Sequence, residues 1–248
     1  MGNNYDDFFL ERYSCNLVLD GFGFCGQERL KNSRVLVVGL GGIGCVISTY
    51  LVGNGIGKIG ICDYDYVQPN NLTRQILYDI GSLGKPKVLV AYERLLSCNN
   101  EVDINPVFEK IDESNAANIF SDYELIIDAT DSQDTKFLVN QVSRKMHKKA
   151  IICSAISYEG NIVRATDENE ACWQCIFESK IPHEKLPTCN ETGVFPTIPA
   201  IIGLVATTEI IKELTGIFKS RENFIKVNIR ENSIRYLYIK KRPDCNLH

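Results

Sequence analysis

The residues of this 248-residue chain whose types and spacing could do chemistry fall into three groups: a glycine-rich turn, a spread of cations and carboxylates, and two spaced cysteine motifs. The turn lies in VLVVGLGGIGCVISTYL, where an apolar β-branched run passes through Gly39-Leu40-Gly41-Gly42-Ile43-Gly44 into a segment of helical period. Glycines at 39, 41 and 44 permit a tight turn, a close approach of backbone to phosphate and close helix–strand packing, and the helix N-terminus offers unpaired N–H groups to an anion. Gly42 adds a further position without a side chain. Asp63 ends the next apolar run, 19 residues beyond Gly44, where a carboxylate accepts from a ribose hydroxyl. On these residues alone an NAD-dependent dehydrogenase fits as well as any other nucleotide enzyme.

The next stretch separates them. DYDYVQPNNLTRQILY and GSLGKPKVLVAYERL bring Asp65, Asn71, Arg74, Gln75 and Lys87 shortly after the ribose strand. A dinucleotide has only its pyrophosphate to neutralise, and the glycine turn already serves that, so the added cations suggest a triphosphate. Nothing after the ribose strand serves a nicotinamide. Downstream, LIIDATDSQDTK sets Asp131 just past the C-terminal end of a buried strand, where open α/β sheets bind ligands and a carboxylate could hold Mg²⁺ between phosphates.

Ten cysteines without an export signal read as thiols or metal ligands rather than disulfides, with Cys45, Cys62 and Cys153 as small core residues. Cys172-Trp173-Gln174-Cys175 has the spacing at which two thiolates chelate one Zn²⁺ from a tight turn; a redox pair is the alternative. The last residues, Cys245-Asn246-Leu247-His248, are either a polar tail or the other half of such a site. Cys189 lies in the Pro- and Thr-containing loop LPTCNETGVFPTIP, where exposure permits nucleophilic attack provided the thiolate is stabilised, and nearby His183 reads as a solvated loop residue.

The elements that must position these groups alternate in type. Strands are expected at 34–39, 58–63, 103–107, 124–129 and 150–155, with helices at Ile43–Val52, Pro86–Ser97, Asn115–Phe120 and Thr135–His147. That alternation predicts an α/β fold with an open, doubly wound, mostly parallel Rossmann-like sheet. After residue 155, GNIVRAT, NFIKVNI and SIRYLYIK predict an antiparallel C-terminal part. The whole reads as one domain over 1–248: N-terminal helices over 1–32, the nucleotide-binding part over 33–155, and antiparallel strands, crossover loop, apolar helix and tail over 156–248. The run from Ile198 to Leu214 is short for a membrane span and carries Glu209, Lys212 and Glu213, so it predicts a buried helix or a subunit interface. A net charge of −4 and a pI near 5.5, with no basic stripe, give no grip on nucleic acid or an anionic membrane. The N-terminus lacks a signal peptide, and Asp6 stands where a myristoylation site carries Ser or Thr, so a cytoplasmic protein is expected.

Taken in order, ERYS, CGQERLKNSRVLVVGLGGIG, NLTRQIL, GKPKV, DATDS, CWQC, TCNETGV and the terminal CNLH resemble the ThiF/MoeB/HesA family, relatives of the ubiquitin-activating enzymes, over nearly the whole chain. The resemblance implies a homodimer that adenylates a carboxylate with MgATP and releases pyrophosphate. A carboxylate is ionised at pH 7, so the nucleophile needs no base. It needs neutralisation of like charge at the α-phosphorus and in-line placement. By resemblance, Arg74 and Lys87 serve the phosphates, Asp131 the metal, Asp63 the ribose, and Asn71 and Gln75 orient, with Asp65 beside them. Cys172, Cys175, Cys245 and His248 become a structural Cys3His zinc site where the family has four thiolates, and Cys189 a candidate for persulfide or thioester chemistry. The implied substrate is the Gly-Gly C-terminus of a ubiquitin-like sulfur-carrier protein of the thiamine or molybdopterin type. A peptide or natural-product carboxylate is the alternative, as is a zinc-stabilised binding protein that has lost turnover. Two departures stand out. The family's Arg-Tyr-x-Arg-Gln reads Arg12-Tyr13-Ser14-Cys15-Asn16 here, which leaves Arg12 to deputise for the arginine that reaches the partner subunit's nucleotide. Ser132 and Lys136 replace the family's Asn and a downstream Arg, which predicts tuning rather than loss.

Overall fold

A computed structural model describes residues 5–177, 193–218 and 221–247. Its strands are the apolar runs: β1 Arg34–Val38, β2 Lys58–Cys62, β3 Asp103–Val107, β4 Leu125–Asp128, β5 Lys149–Ile156, β6 Glu159–Ala165, β7 Phe224–Asn228 and β8 Ser233–Leu237. The helices are α1 Asp7–Arg12, α2 Ser14–Leu17, α3 Gly23–Lys31, α4 Gly42–Gly53, α5 Lys87–Cys98, α6 Ala116–Phe120, α7 Gln133–Lys145, α8 Trp173–Phe177 and α9 Ile198–Thr215.

The strands make one sheet in the order β3-β2-β1-β4-β5-β6-β7-β8. Pairings from β3 through β5 are parallel, and those from β5 through β8 are antiparallel. Parallel strands lie between two helical layers, so both faces must be apolar. All four residues of β4 and the last four of β1 are accordingly buried. The chain turns back on itself between β1 and β4, and the crevice at their C-terminal ends is where such sheets bind ligands.

Two apolar clusters cover the two faces. One packs α4, α5 and α9 against β1, β2, β4 and β5, around Ile47, Ile59, Ile127 and Ile202. The other carries Phe120, Ile126, Val139 and Trp173. The run from Ile198 to Leu214 is the expected buried helix. It crosses α4, where Gly203 leaves room for Val46, whose Cβ would be 2.8 Å from a methyl at position 203. Gly216, at φ 69°, ends it in the left-handed conformation that a C-cap favours, and Arg29 Nη1 donates to the Thr215 carbonyl. Among the described residues no helix is long and apolar enough to cross a membrane. Element ends differ from the sequence reading by a residue or two. The largest shift is α7, which starts at Gln133 because the Ser132 side chain accepts from Thr135 N at 3.2 Å and caps the helix early.

Candidate active site

The crevice between the β1 and β4 ends opens into a pocket of about 190 Å³. Its floor is the glycine turn. Gly44 must lack a side chain because a Cβ there would lie 1.9 Å from the Gly39 carbonyl oxygen, so α4 starts in contact with the strand end. Gly39 sits at φ 91°, and a Cβ on it would meet Thr130 Cγ2 at 2.8 Å, where the loops after β1 and β4 touch. The α4 N-terminus, with Gly41 as its cap and no side-chain partner, therefore faces the pocket with free N–H groups.

Asp63 follows β2 directly and braces this turn. Its Oδ2 accepts from Leu40 N at 2.7 Å and its Oδ1 from Asp65 N at 2.8 Å, leaving lone pairs on both oxygens for a ligand hydroxyl. Burial pushes its carboxyl above the usual 3.8, and the nearby Lys87 ammonium opposes that rise. Lys87, buried at the start of α5, sits 3.0 Å from the half-exposed Asp65 carboxylate, so a cation is held at the pocket wall with a partner that a phosphate can replace. Arg74 lines the same wall, its Nη1 donating to the Asn70 carbonyl at 2.8 Å. Gln75 also lines it, and among the described residues its buried Oε1 has no hydrogen-bond partner. Asp131, exposed after β4, faces these groups from the opposite lip. One pocket thus gathers Gly39, Gly41, Gly42, Asp63, Asp65, Arg74, Gln75, Lys87 and Asp131, from three loops that the sheet order brings together.

Four of the expected residues stand outside the lining, one of them Gly44, which makes the helix–strand contact described above. Asn71 is buried outside the pocket lining. Its Oδ1 accepts from Gln68 N and its Nδ2 donates to Asn70 Oδ1, both at 3.0 Å, so it shapes the turn that delivers Arg74. Arg12 is not in the pocket of its own chain: its Nη2 donates to the Cys98 carbonyl at 2.7 Å at the end of α5. Lys136 is 4% exposed and lies beneath the pocket rather than in its lining.

Cys172, Cys175 and Cys245 converge, with all three Sγ atoms within 4.8 Å of one another. Cys172 Sγ is 3.8 Å from both Cys175 Sγ and Cys245 Sγ, although Cys245 is 73 residues away in sequence. Tetrahedral coordination with Zn–S bonds of about 2.3 Å sets sulfurs roughly 3.8 Å apart, so the donor set fits zinc. Arg242 N donates to Cys175 Sγ at 3.4 Å and Asn140 Nδ2 to Cys172 Sγ at 3.5 Å. His248, Cys189 and His183 lie outside the described residues.

The sequence reading missed Tyr64, Glu109, Lys110 and Ile111, which form the pocket's far end. Their signal is topological. In the β2–β3 register Cys62 pairs with Val107, so the residues just after Val107 stand beside Asp63. No local motif marks them.

Known proteins match the chain on the same terms. It is 34% identical over 242 residues to the sulfur carrier protein adenylyltransferase of Thermus thermophilus, covering 95% of this chain and 89% of that protein. It is 33% identical to the molybdopterin-synthase adenylyltransferase of Escherichia coli, covering 95% of each. Against the adenylyltransferase and sulfurtransferase MOCS3 of Culex quinquefasciatus it is 33% identical over 95% of its own length, but spans only 54% of that protein. Among solved structures, E. coli MccB with selenomethionine MccA superposes with a TM-score of 0.82 at 21% identity, over 100% of this chain and 76% of that one, a likeness of fold. The sequence pattern of the ThiF family matches residues 13–247. With a glycine turn, the braced Asp63 carboxylate and a cation-lined wall in one crevice, and with these relatives along nearly its whole length, the chain belongs to the ThiF family.

Proposed function

We propose that the chain is an ATP-dependent adenylyltransferase that converts a carboxylate to an acyl-adenylate. The observation that carries the reading is the convergence of the open α4 N-terminus, Asp63, Arg74, Lys87 and Asp131 on one pocket. A carboxylate oxygen attacks the α-phosphorus, an O–P bond forms, the bond to the bridging oxygen of the β-phosphate breaks, and pyrophosphate leaves with that electron pair. No proton moves. The α4 N–H groups and the Arg74 and Lys87 side chains offset the charge of the approaching anions, Lys87 exchanging Asp65 for phosphate. Asp63 accepts from the ribose. Asp131 is the carboxylate suited to Mg²⁺, which supplies charge neutralisation between phosphates when bound.

The substrate we infer is the C-terminal carboxylate of a ubiquitin-like sulfur carrier, supported by the names of the T. thermophilus and E. coli relatives. The structural zinc site takes Cys172, Cys175 and Cys245, with His248 as the fourth ligand, and Cys189 is the residue for any covalent step after adenylation. A homodimer is supported by the open side of α9 and its neighbour α4, where Leu204 is 42% and Tyr50 48% exposed. In such a dimer Arg12 would have to leave the Cys98 carbonyl to reach the partner's nucleotide. The same reading expects action in the cytoplasm.

The deciding assay is carboxylate-dependent exchange of labelled pyrophosphate into ATP, run with Gly-Gly-ending carrier proteins and with small acids. Exchange with a carrier alone supports the reading, exchange with small acids alone replaces the substrate, and no exchange with any of them overturns it.

A further inference from the structure

Beneath the pocket lies a buried ion pair that the chemistry above does not use. Asp128, the last residue of β4, is fully buried, and its Oδ2 is 3.2 Å from Lys136 Nζ on α7. Its Oδ1 accepts from both Thr130 N at 2.8 Å and Thr130 Oγ1 at 2.7 Å. The Lys136 ammonium has two further acceptors, the carbonyls of Thr130 at 2.6 Å and Cys153 at 2.5 Å. Three donor protons meet three acceptors, so nothing is left for a phosphate. Burial pushes the Asp128 carboxyl up while Lys136, the next influence, draws it down.

Every polar group of Thr130 is therefore fastened to this pair: its N–H and hydroxyl by Asp128, its carbonyl by Lys136. The Thr130 carbonyl belongs to the peptide that leads into Asp131. Fixing that peptide plane fixes the direction in which the Asp131 side chain leaves the backbone. Thr130 also abuts Gly39 across the pocket floor, closely enough that a methyl on Gly39 would collide with it.

We propose that Lys136 is a positioning residue for nucleotide activation: by holding the Thr130 carbonyl from below, it sets the direction of the Asp131 carboxylate, the group that would hold Mg²⁺. The inference rests on the adenylyltransferase reading, and on Asp131 as the Mg²⁺ carboxylate within it. It differs from a general stabilising role because it acts only on the metal-dependent part of binding.

The test is ATP binding by titration calorimetry, with Mg²⁺ and in EDTA, for the wild type, Lys136→Met, Asp131→Ala and the double variant. Lys136→Met keeps the apolar stem and removes all three donors. The expected result is a Kd for ATP with Mg²⁺ raised about tenfold, an unchanged Kd in EDTA, and no further loss when Lys136→Met is added to Asp131→Ala. Equal weakening with and without Mg²⁺, additivity with Asp131→Ala, or wild-type binding in Lys136→Met would each overturn the proposal. Lys136→Met leaves Asp128 buried without its cation, a change that can prevent folding. Asp128→Asn/Lys136→Met removes both charges, keeps an acceptor for Thr130, still frees the Thr130 carbonyl, and is judged by the same comparison. Wild-type protein that fails to bind MgATP sinks the adenylyltransferase reading instead, which keeps the two failures apart.

Discussion

Two glycines of the same turn should fail in opposite ways when each is given one methyl group. At Gly44 the new Cβ would lie 1.9 Å from the Gly39 carbonyl oxygen and 2.9 Å from its carbon, with the Ala129 Cβ at 3.4 Å. Two of these atoms are backbone, so relief requires α4 to lift off the β1 end rather than a rotamer change. Overpacking of this kind costs about 3 kcal/mol, near the top of its usual range. In a chain of this size that lowers Tm by roughly 6 to 12 °C. At Gly41 the nearest atom to a new Cβ is Gln75 Nε2 at 4.0 Å, and the backbone angles there, φ −77° and ψ −159°, suit alanine. The methyl stands in open space on the pocket floor, so Gly41→Ala should keep Tm within about 2 °C. It should nonetheless weaken ATP binding at least about tenfold, by holding phosphate away from the α4 N–H groups. Differential scanning fluorimetry and ATP titration on the two variants read both quantities. A Gly44→Ala protein with wild-type Tm would refute the close helix–strand contact, and a Gly41→Ala protein with wild-type ATP affinity would refute the phosphate position.

Further outcomes follow from the same geometry. Lys87→Met should lower the pyrophosphate-exchange rate about a hundredfold through loss of a phosphate cation. Its stability should change by under about 1 kcal/mol, because Asp65, the released partner, is half exposed to water. Since burial raises the Asp63 carboxyl above 3.8, the folded chain holds more protons than the unfolded one between that value and the raised one, so this group's stability contribution falls as pH rises through the window. ATP affinity runs the other way, falling on acidification with a midpoint above 3.8, and an Asp63→Asn variant should lack that step in a pH series of titrations. Cys245→Ala, and separately deletion of His248, should lower bound zinc measured by elemental analysis and reduce Tm. Full zinc in both would remove the metal site from the reading.

What could be read in the sequence was what is local. Five runs gave the parallel strands to within a residue or two, and β1, β2 and β4, buried almost throughout, have no alternation to misread. The glycine turn and the CxxC spacing carry their geometry in their own letters. What stayed hidden depends on register and crossing. Glu109 and Lys110 join the pocket only because β3 pairs with β2, and sequence spacing has no access to that pairing. Asn71 has the same composition as a ligand-orienting residue, but its two hydrogen bonds stay inside its own loop. Lys136 stands where the family carries a downstream arginine, yet its acceptors come from β4, the turn after it, and β5, which meet only in the folded sheet.

The cysteine cluster has a practical consequence for anyone who handles the protein. Cys172 is as near to Cys175 as to Cys245, so a modest approach of either sulfur makes a disulfide. A metal ion bound among them would act as a protecting group for the thiols, and a chelator in the buffer would remove the protection. Air oxidation after stripping would then trap one pair and discard the third ligand, and zinc added back would find no site. With a metal in place, reductant and chelator would not be interchangeable precautions for this chain: the first would preserve the cluster and the second expose it.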